Sequence, residues 1–571
     1  MNSILDALRR QVGAVGRART RPSTEYRGAL AAALSHLLEY LISPRDPEEL
    51  LLQSEEPRDD SSLAMLGRFC SAYKEATAGY RQMFLSIFQH KYESVVAVLA
   101  HDGCTESTTP KWRVACFSAL VQLLKTLQAE DGTSFDPGSG GAGAGEASGL
   151  YLSAKVLQIM WRDHHLERIV GIAAGVDEGR RDFNADLPLV RRIAQACLVQ
   201  LALTELGANA IHKIGIVSQL IRSVPFWERE VANPAAPGYM RELQLITPCR
   251  ILTSMLRSIP FHMKLVEEIL RWVQAMYQPI SDVLIASSAM GSLDGLQNAT
   301  AVAGLLASVI GSIEPARREP VINSLLKPDK YEEQTLAQQL SSRPALPVVL
   351  NESIMRCWEL LRLLGSLPSS PQSTGESTAW SSLQPSNAQE EALARQVSMP
   401  APRGEWQAWN AFDAMKFSAW WGLFRSIALV LQRTARLGVA PDCGEEQCKS
   451  LARGLITCVY TAKLFPVATS TAIVPVTSPD TSAYYASARD SSILVLENLT
   501  AFAVERLRLL APHGHSSQEK KSFKAHLNRD LVDLIATTHG ASSSVYGPPH
   551  PSDVFLRKAT RFIDESLHFA M

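Results

Sequence analysis

The chain has 571 residues, of which 46% are hydrophobic and 20% are charged. It is therefore too long for one ordinary core and apolar enough to fold as several domains or as a long stack. Its 56 basic and 57 acidic side chains nearly cancel. This balance argues against non-specific binding of nucleic acid through the overall charge of the protein, and only a local basic patch could provide such binding. We expect no direct sequence-specific contact with nucleic acid.

The nine cysteines are scattered, without a C-x-x-C pair. Such a pattern is typical of reduced, buried thiols in the cytosol or nucleus. Cys443 and Cys448 suggest a zinc site at first sight, but no second ligand pair with suitable spacing follows. Loop thiols are the simpler interpretation, and we predict no bound metal and no cofactor.

Residues 1–130 form the first predicted domain. The first 27 residues carry six arginines, which is typical of a mitochondrial presequence. A frayed first helix is the alternative that we favour, because apolar residues continue at helical spacing through Leu30, Leu34 and Leu38. Further helices are predicted at 63–73 and 112–127. Residues 131–149, with seven glycines, then predict a disordered insertion that carries no phosphate-binding motif.

The stretch 187–224 looks like a complete structural unit. One apolar stripe includes Ile193, Cys197 and Leu201, and we expect Gly207 to end that helix. A short helix over 208–213 follows. Gly215 then breaks the chain before a third stripe that begins at Ile216. Both glycines are predicted to lie at left-handed or close-packed turns. The order of helix, glycine, short helix, glycine and helix is typical of armadillo repeats.

A predicted helical hairpin follows this unit. One face is formed by Leu245, Cys249, Leu252 and Leu256, and the next by Leu265, Ile269, Trp272, Val273 and Met276, with breaks at Pro260 and Pro279. Isolated helices of this length gain their stability mainly from neighbours. Stacked hairpins therefore predict an all-α fold, a curved α-solenoid of armadillo- and HEAT-like repeats with disordered insertions, whose middle domain spans 150–365.

The longest uncharged run lies between Asp294 and Glu314. It contains several polar residues, so we interpret 299–313 as a buried helix of the stack and predict no transmembrane segment.

A Ser-, Pro- and Gln-rich linker is predicted at 366–404, before a C-terminal helical block at 405–571. That block opens with seven aromatic residues, Trp406, Trp409, Phe412, Phe417, Trp420, Trp421 and Phe424. Core packing is the simpler interpretation of this cluster. The functional alternative is a groove for a partner helix, lined by one or more of Trp409, Trp420, Trp421 and Phe424.

No catalytic motif emerges: the chain has no G-x-S-x-G, Walker A, kinase or dinucleotide fingerprint. The pair His164 and His165 stands beside Glu167, but its spacing is not that of H-E-x-x-H. We predict that the protein is not an enzyme.

Two stretches carry a family resemblance. They are ALTELGA at 202–208 continued by IHKIGIV at 211–217, and LQLITPCRILTSMLRSIPFHMKLVEEILRWVQAMYQPISDVL at 243–284, followed by a small-residue helix at 293–310. Over residues 150–330 the chain resembles the large inner-ring scaffold nucleoporins of the nuclear pore complex. The resemblance falls in the C-terminal part of those longer proteins, from whose pattern the insertions at 131–149 and 366–404 depart.

The resemblance implies an architectural α-solenoid at the nuclear envelope, in an assembly that supports protein and mRNA transport. It also implies binding of adaptor and other inner-ring nucleoporins through short helical segments. No Phe-Gly dipeptide occurs among the 17 phenylalanines, which favours a scaffold over a barrier nucleoporin. A transport receptor or adaptor solenoid remains the alternative, and a mitochondrial or enzymatic helical protein the third.

Overall fold

The computed structural model describes residues 24–42, 92–106, 108–129, 148–175, 187–223, 238–285, 289, 291–313, 346–364, 385, 388–395 and 411–436, and, from 450 onward, residues 450, 451, 454, 455, 458, 494–496 and 498–503. About 90% of the interpretable part is helical, and it contains no strand. The predicted all-α class is confirmed for these residues. The chain divides into two compact units.

Unit 1 comprises residues 1–233 and 250–260. Its helices are α1 (Thr24–Ile42), α2 (Tyr92–Cys104), α3 (Pro110–Ala129), α4 (Ser148–Arg162), α5 (His165–Ala174), α6 (Leu187–Ala202) and α7 (Glu205–Ile214), followed by helical residues 216–223. Helix α3 is central, since it packs against α1, α2, α4 and α6. The approach of α1 to α3 is close: a Cβ on Gly28 would overlap the indole ring of Trp112.

An ion pair and two caps fix the local geometry of unit 1. Arg27 on α1 donates from Nε to Asp102 on α2 at 2.6 Å, and both side chains are largely buried. Thr204 caps α7, because its hydroxyl accepts the backbone N–H of Gly207 at 3.2 Å. Gly215 ends α7 with a φ of 81°. The third apolar stripe then follows as predicted, since Ile216, Val217, Leu220 and Ile221 are all buried.

Helix α8 (Gly238–Ser258) is divided between the units at Cys249 and Arg250, directly after Pro248 inside the helix. Proline removes one helical hydrogen bond at such a position. The four residues of the predicted stripe on this helix, Leu245, Cys249, Leu252 and Leu256, are all buried.

Unit 2 comprises residues 234–249 and 261–571. Its described helices are α9 (Met263–Ala275), α10 (Tyr277–Leu284), α11 (Leu293–Gly311), α12 (Leu346–Leu364), α13 (Ala388–Ala394) and α14 (Ala411–Arg436). Among these helices, α11 and α14 form the most extensive contact, and α12 packs against α9, α10 and α14. All five residues of the stripe predicted from Leu265 to Met276 are buried.

Helix α11 covers most of the uncharged run between Asp294 and Glu314. By length and composition it could cross a membrane, and 67% of its most apolar window is buried inside the protein. Ser292 caps it by accepting the N–H of Gly295 at 2.9 Å. Length and composition alone do not distinguish a membrane span from a core helix, so the absence of a span stays a prediction.

Several predicted boundaries differ from the observed ones. Pro279 does not end a helix: α9 ends at Ala275, and Pro279 lies in the first turn of α10, where proline is tolerated. Helix α13 lies inside the range predicted as a linker, because its run of Ala and Glu favours a helix. Helix α4 begins at Ser148, inside the predicted insertion. The helix predicted at 63–73 and the part of the predicted C-terminal block beyond residue 503 lie outside the described residues.

Candidate partner-binding surfaces

The aromatic cluster of the C-terminal block lies on α14. Trp420, Trp421 and Phe424 are at most 1% exposed, and the rings of Trp421 and Phe424 stack with centroids 5.2 Å apart. Phe412 is buried on the same helix, and a helix that is apolar on several sides requires neighbours on several sides. Trp409 lies outside the described residues.

The neighbour that covers much of α14 is α11. Gly422 of α14 faces Thr300, and Gly304 of α11 faces Ser426, which places small residues where the two helices cross. Arg433 donates from a guanidinium N–H to the carbonyl of Ala307 at 2.5 Å. This contact covers the face of α14 that carries Gly422, Ser426 and Arg433, whereas Phe424 lies with Leu361 and Leu499 around Gly454. In this arrangement Trp420, Trp421 and Phe424 are core residues, as the simpler interpretation expects.

The two predicted turn glycines have different environments. Gly215 has the left-handed backbone that was predicted. Gly207 does not end α6, which stops at Ala202, and the turn is made by Leu203 and Thr204. Gly207 instead lies in the first turn of α7, where a Cβ would lie 2.8 Å from the carbonyl carbon of Leu201. The cap formed by Thr204 decides this boundary, because it satisfies the first free N–H groups of α7.

Unit 1 exposes a group of large apolar side chains at one end. Helices α5 and α6 are antiparallel, since Gln195 donates to the carbonyl of Ala173 at 2.9 Å and Gly175, after the end of α5, faces Arg191 near the start of α6. Eight residues separate Gln195 from Leu203 and Ala173 from His165, about 12 Å along each helix. The turns at 163–164 and 203–204 therefore share one end of unit 1.

Three side chains at this end are exposed, Trp161 by 42%, Leu203 by 51% and Leu206 by 61%. We call these three residues the apolar edge. The sequence analysis missed it, because Leu203 and Leu206 continue the apolar run of α6. The signal that could have revealed it is Thr204 followed by Glu205, a capping residue followed by an acidic first turn. Exposed apolar side chains that cluster are typical of contact surfaces.

Glu352 connects three side chains in unit 2. Tyr277 donates to its Oε2, and Ser281 donates to its Oε1 at 3.3 Å, while Arg356 lies 3.8 Å from Oε1. The hydrogen bond to Glu352 raises the pKa of Tyr277. The hydroxyl stays protonated at neutral pH, and this cluster joins α10 to α12.

The described cysteines offer no reactive thiol. All six thiols are buried; they belong to Cys104, Cys116, Cys197, Cys249, Cys357 and Cys458. Burial raises the pKa of Cys104, Cys249 and Cys357 to about 12 and that of the other three well above the usual range. Within the part of the chain that the structure describes, no group of three or more His, Cys, Asp or Glu residues is placed to hold a metal ion.

No family model and no curated protein sequence matches this chain. The function is therefore inferred from the chemistry of the described residues, from the packing of the helices, and from the resemblance to the inner-ring scaffold nucleoporins.

Proposed function

We propose that this protein is an architectural subunit of the nuclear pore complex inner ring, built as an α-solenoid of armadillo- and HEAT-like repeats. The observation that carries the proposal is the packing of α6 against α5 and α7, together with the short turns before and after α7. Two residues, 203–204, separate α6 from α7, and Gly215 alone separates α7 from helical residues 216–223. Repeat stacks are built from contacts of this kind.

The chemistry of the described residues supports an architectural role. The described thiols are buried, and the buried ion pair of Arg27 with Asp102 joins two helices. We choose the nuclear pore complex as the assembly because residues 202–217 and 243–310 resemble the inner-ring scaffold nucleoporins.

Such a subunit would hold adaptor nucleoporins through short helical segments. Of the four aromatic residues assigned to this contact, Trp420, Trp421 and Phe424 are covered by the chain, so Trp409 is the first to test. The apolar edge offers a second surface with the property that the proposal needs, since a helical segment of an adaptor would cover Leu203 and Leu206.

The localisation of the protein in the cell tests whether it belongs to the nuclear pore complex. A fluorescent tag on the full chain is expected to give a punctate nuclear rim, and proximity labelling should recover inner-ring nucleoporins. A mitochondrial network or a diffuse cytosolic signal would overturn the proposal.

The contact surface is tested with matched variants on α7. Leu206→Ser should leave the melting temperature unchanged, since the side chain is exposed, and should reduce the recovery of inner-ring nucleoporins. Lys213→Ser, at another exposed position of the same helix, is the control and should retain recovery. Trp409→Ala is compared in the same assay. Normal recovery with both Leu206→Ser and Trp409→Ala would show that adaptors bind elsewhere.

A further inference from the structure

A histidine lies buried where α2 meets α5 in unit 1. His165 is the first residue of α5 and is 6% exposed. His101, in the last turn of α2, meets it edge to face, with ring centroids 6.1 Å apart and the planes at 72°. Nearby, the thiol of Cys104 on α2 donates to the backbone carbonyl of His165 at 3.8 Å. The side chain thus forms part of the contact between the two helices.

The ring of His165 lacks a partner for one of its nitrogens. Its Nδ1 is buried and has no hydrogen-bond partner among the described residues. The neighbouring turn is strained, since His164 has a φ of 55°, in the left-handed region. A protonated imidazole needs acceptors for two N–H groups, and a buried cation without them is strongly unfavourable. This packing therefore suits only the neutral ring.

The charged groups that act on His165 do not compensate a positive charge. They are Asp163, His101, Arg168 and His164, of which only Asp163 favours protonation. Asp163 is already bonded to Arg162, at 3.0 Å between Nε and Oδ1.

The other helices that pack against α5 add no compensating charge: α4 carries only Lys155 and Arg162, and Asp102 of α2 pairs with Arg27. Arg191 of α6 lies at the opposite end, beside Gly175. Glu205, His212 and Lys213 of α7 are not among the groups that shift the pKa of His165. Cys104 is held in its thiol form, and Glu167 pairs with the exposed His164 at 3.1 Å.

We propose that the contact between α2 and α5 at His101 and His165 is an acid-sensitive switch. At neutral pH the two helices pack with His165 neutral, and uptake of a proton by this ring opens the contact. The device is a property of unit 1 and does not depend on the proposed assembly.

The direction of the pH dependence follows from the same environment. Burial lowers the pKa of His165 in the folded protein, whereas the opened form has a pKa near the ordinary value of about 6.5. The opened form therefore binds the proton first as the pH falls. The stability of the contact is fully present well above pH 6.5 and decreases as the pH falls through this value, and one such proton increases opening by up to about fivefold between pH 6.5 and 5.5.

Hydrogen exchange of the full chain, corrected for the intrinsic pH dependence of exchange, measures this opening. We expect peptides of α2 and α5 to exchange up to about fivefold faster at pH 5.5 than at pH 6.5. The variant His165→Phe keeps an aromatic ring and should lose this increase. His212→Gln, on α7 in the same unit, is the control and should retain it. An equal pH dependence in the wild type and in His165→Phe would overturn the proposal.

A second measurement covers the case in which His165→Phe does not fold. Titration of the histidine ring signals of the wild-type protein by NMR, with assignment from His101→Gln and His164→Gln, gives the pKa of His165 directly. A value below the ordinary one, with loss of the α2 and α5 signals as the ring titrates, supports the switch. A value at or above the ordinary one would reject it.

Discussion

Gly207 and Gly215 lie near the two ends of α7, and each excludes a side chain for a different reason. At Gly215 no atom lies within 4 Å of the position that a Cβ would occupy, but φ is 81°. We expect Gly215→Ala to lower the free energy of unfolding by about 1–2 kcal/mol, because the left-handed backbone strains other residues. Gly215→Asn should cost less, since asparagine tolerates this region. Chemical denaturation measures both.

At Gly207 the obstacle is steric, since a Cβ would collide with the backbone of Leu201. Gly207→Ala should therefore destabilise although alanine favours helices, and denaturation compares it with Asn209→Ala, which lies in the same helix and should change stability by no more than about 0.5 kcal/mol. If Gly207→Ala and Gly215→Ala both retain full stability, the turns around α7 are looser than the structure has them.

The thiols provide a second prediction at the residue scale. Six of the nine cysteines are described and buried, and burial raises their pKa. Because only the thiolate reacts quickly, these six should not react with a thiol reagent at pH 8 until the protein is unfolded. Mass spectrometry identifies the labelled positions, and rapid labelling of Cys197 in the native protein would contradict its burial.

At the scale of helices, the crossing of α11 and α14 determines which residues can be enlarged. A Cβ on Gly422 would lie 3.5 Å from Cγ2 of Thr300, an ordinary contact. Gly422→Ala should be neutral or stabilising by up to about 1 kcal/mol, because alanine favours the helix. Gly422→Leu should destabilise by about 1–3 kcal/mol, since it forces the two helices apart. Thermal melting distinguishes the two, and an equal melting temperature would show that the crossing is open.

Local periodicity predicted the buried faces well. All four stripe residues of α8 and all five of the stripe from Leu265 to Met276 are buried as expected, because a helical face depends only on nearby residues. The junction at Gly207 was misplaced, since the cap of Thr204 competes with the apolar run that continues to Leu206. The packing of α14 against α11 was beyond a local pattern, because Arg433 and Ala307 are 126 residues apart. For the same reason, periodicity could not distinguish a core face from a partner groove.

At the scale of the whole molecule, charge balance makes a prediction about nucleic acid. The formal net charge is −1 with 56 basic and 57 acidic side chains, and several of the described arginines are engaged, such as Arg27 with Asp102 and Arg433 with Ala307. Proteins that bind DNA non-specifically reach dissociation constants of about 10⁻⁴ to 10⁻⁶ M at physiological salt by releasing counterions from a basic face. We expect no such binding here.

Fluorescence anisotropy with a labelled DNA duplex and with a labelled RNA measures this at several salt concentrations. The expected result is no saturation up to about 100 µM protein at physiological salt, with at most a weak signal at low salt that vanishes as screening increases. A histone-like basic protein is the positive control for the labelled duplex. Saturation in the micromolar range, with an affinity that falls steeply with salt, would reveal a concentrated basic face. That result would favour a nucleic-acid-binding protein over an architectural solenoid.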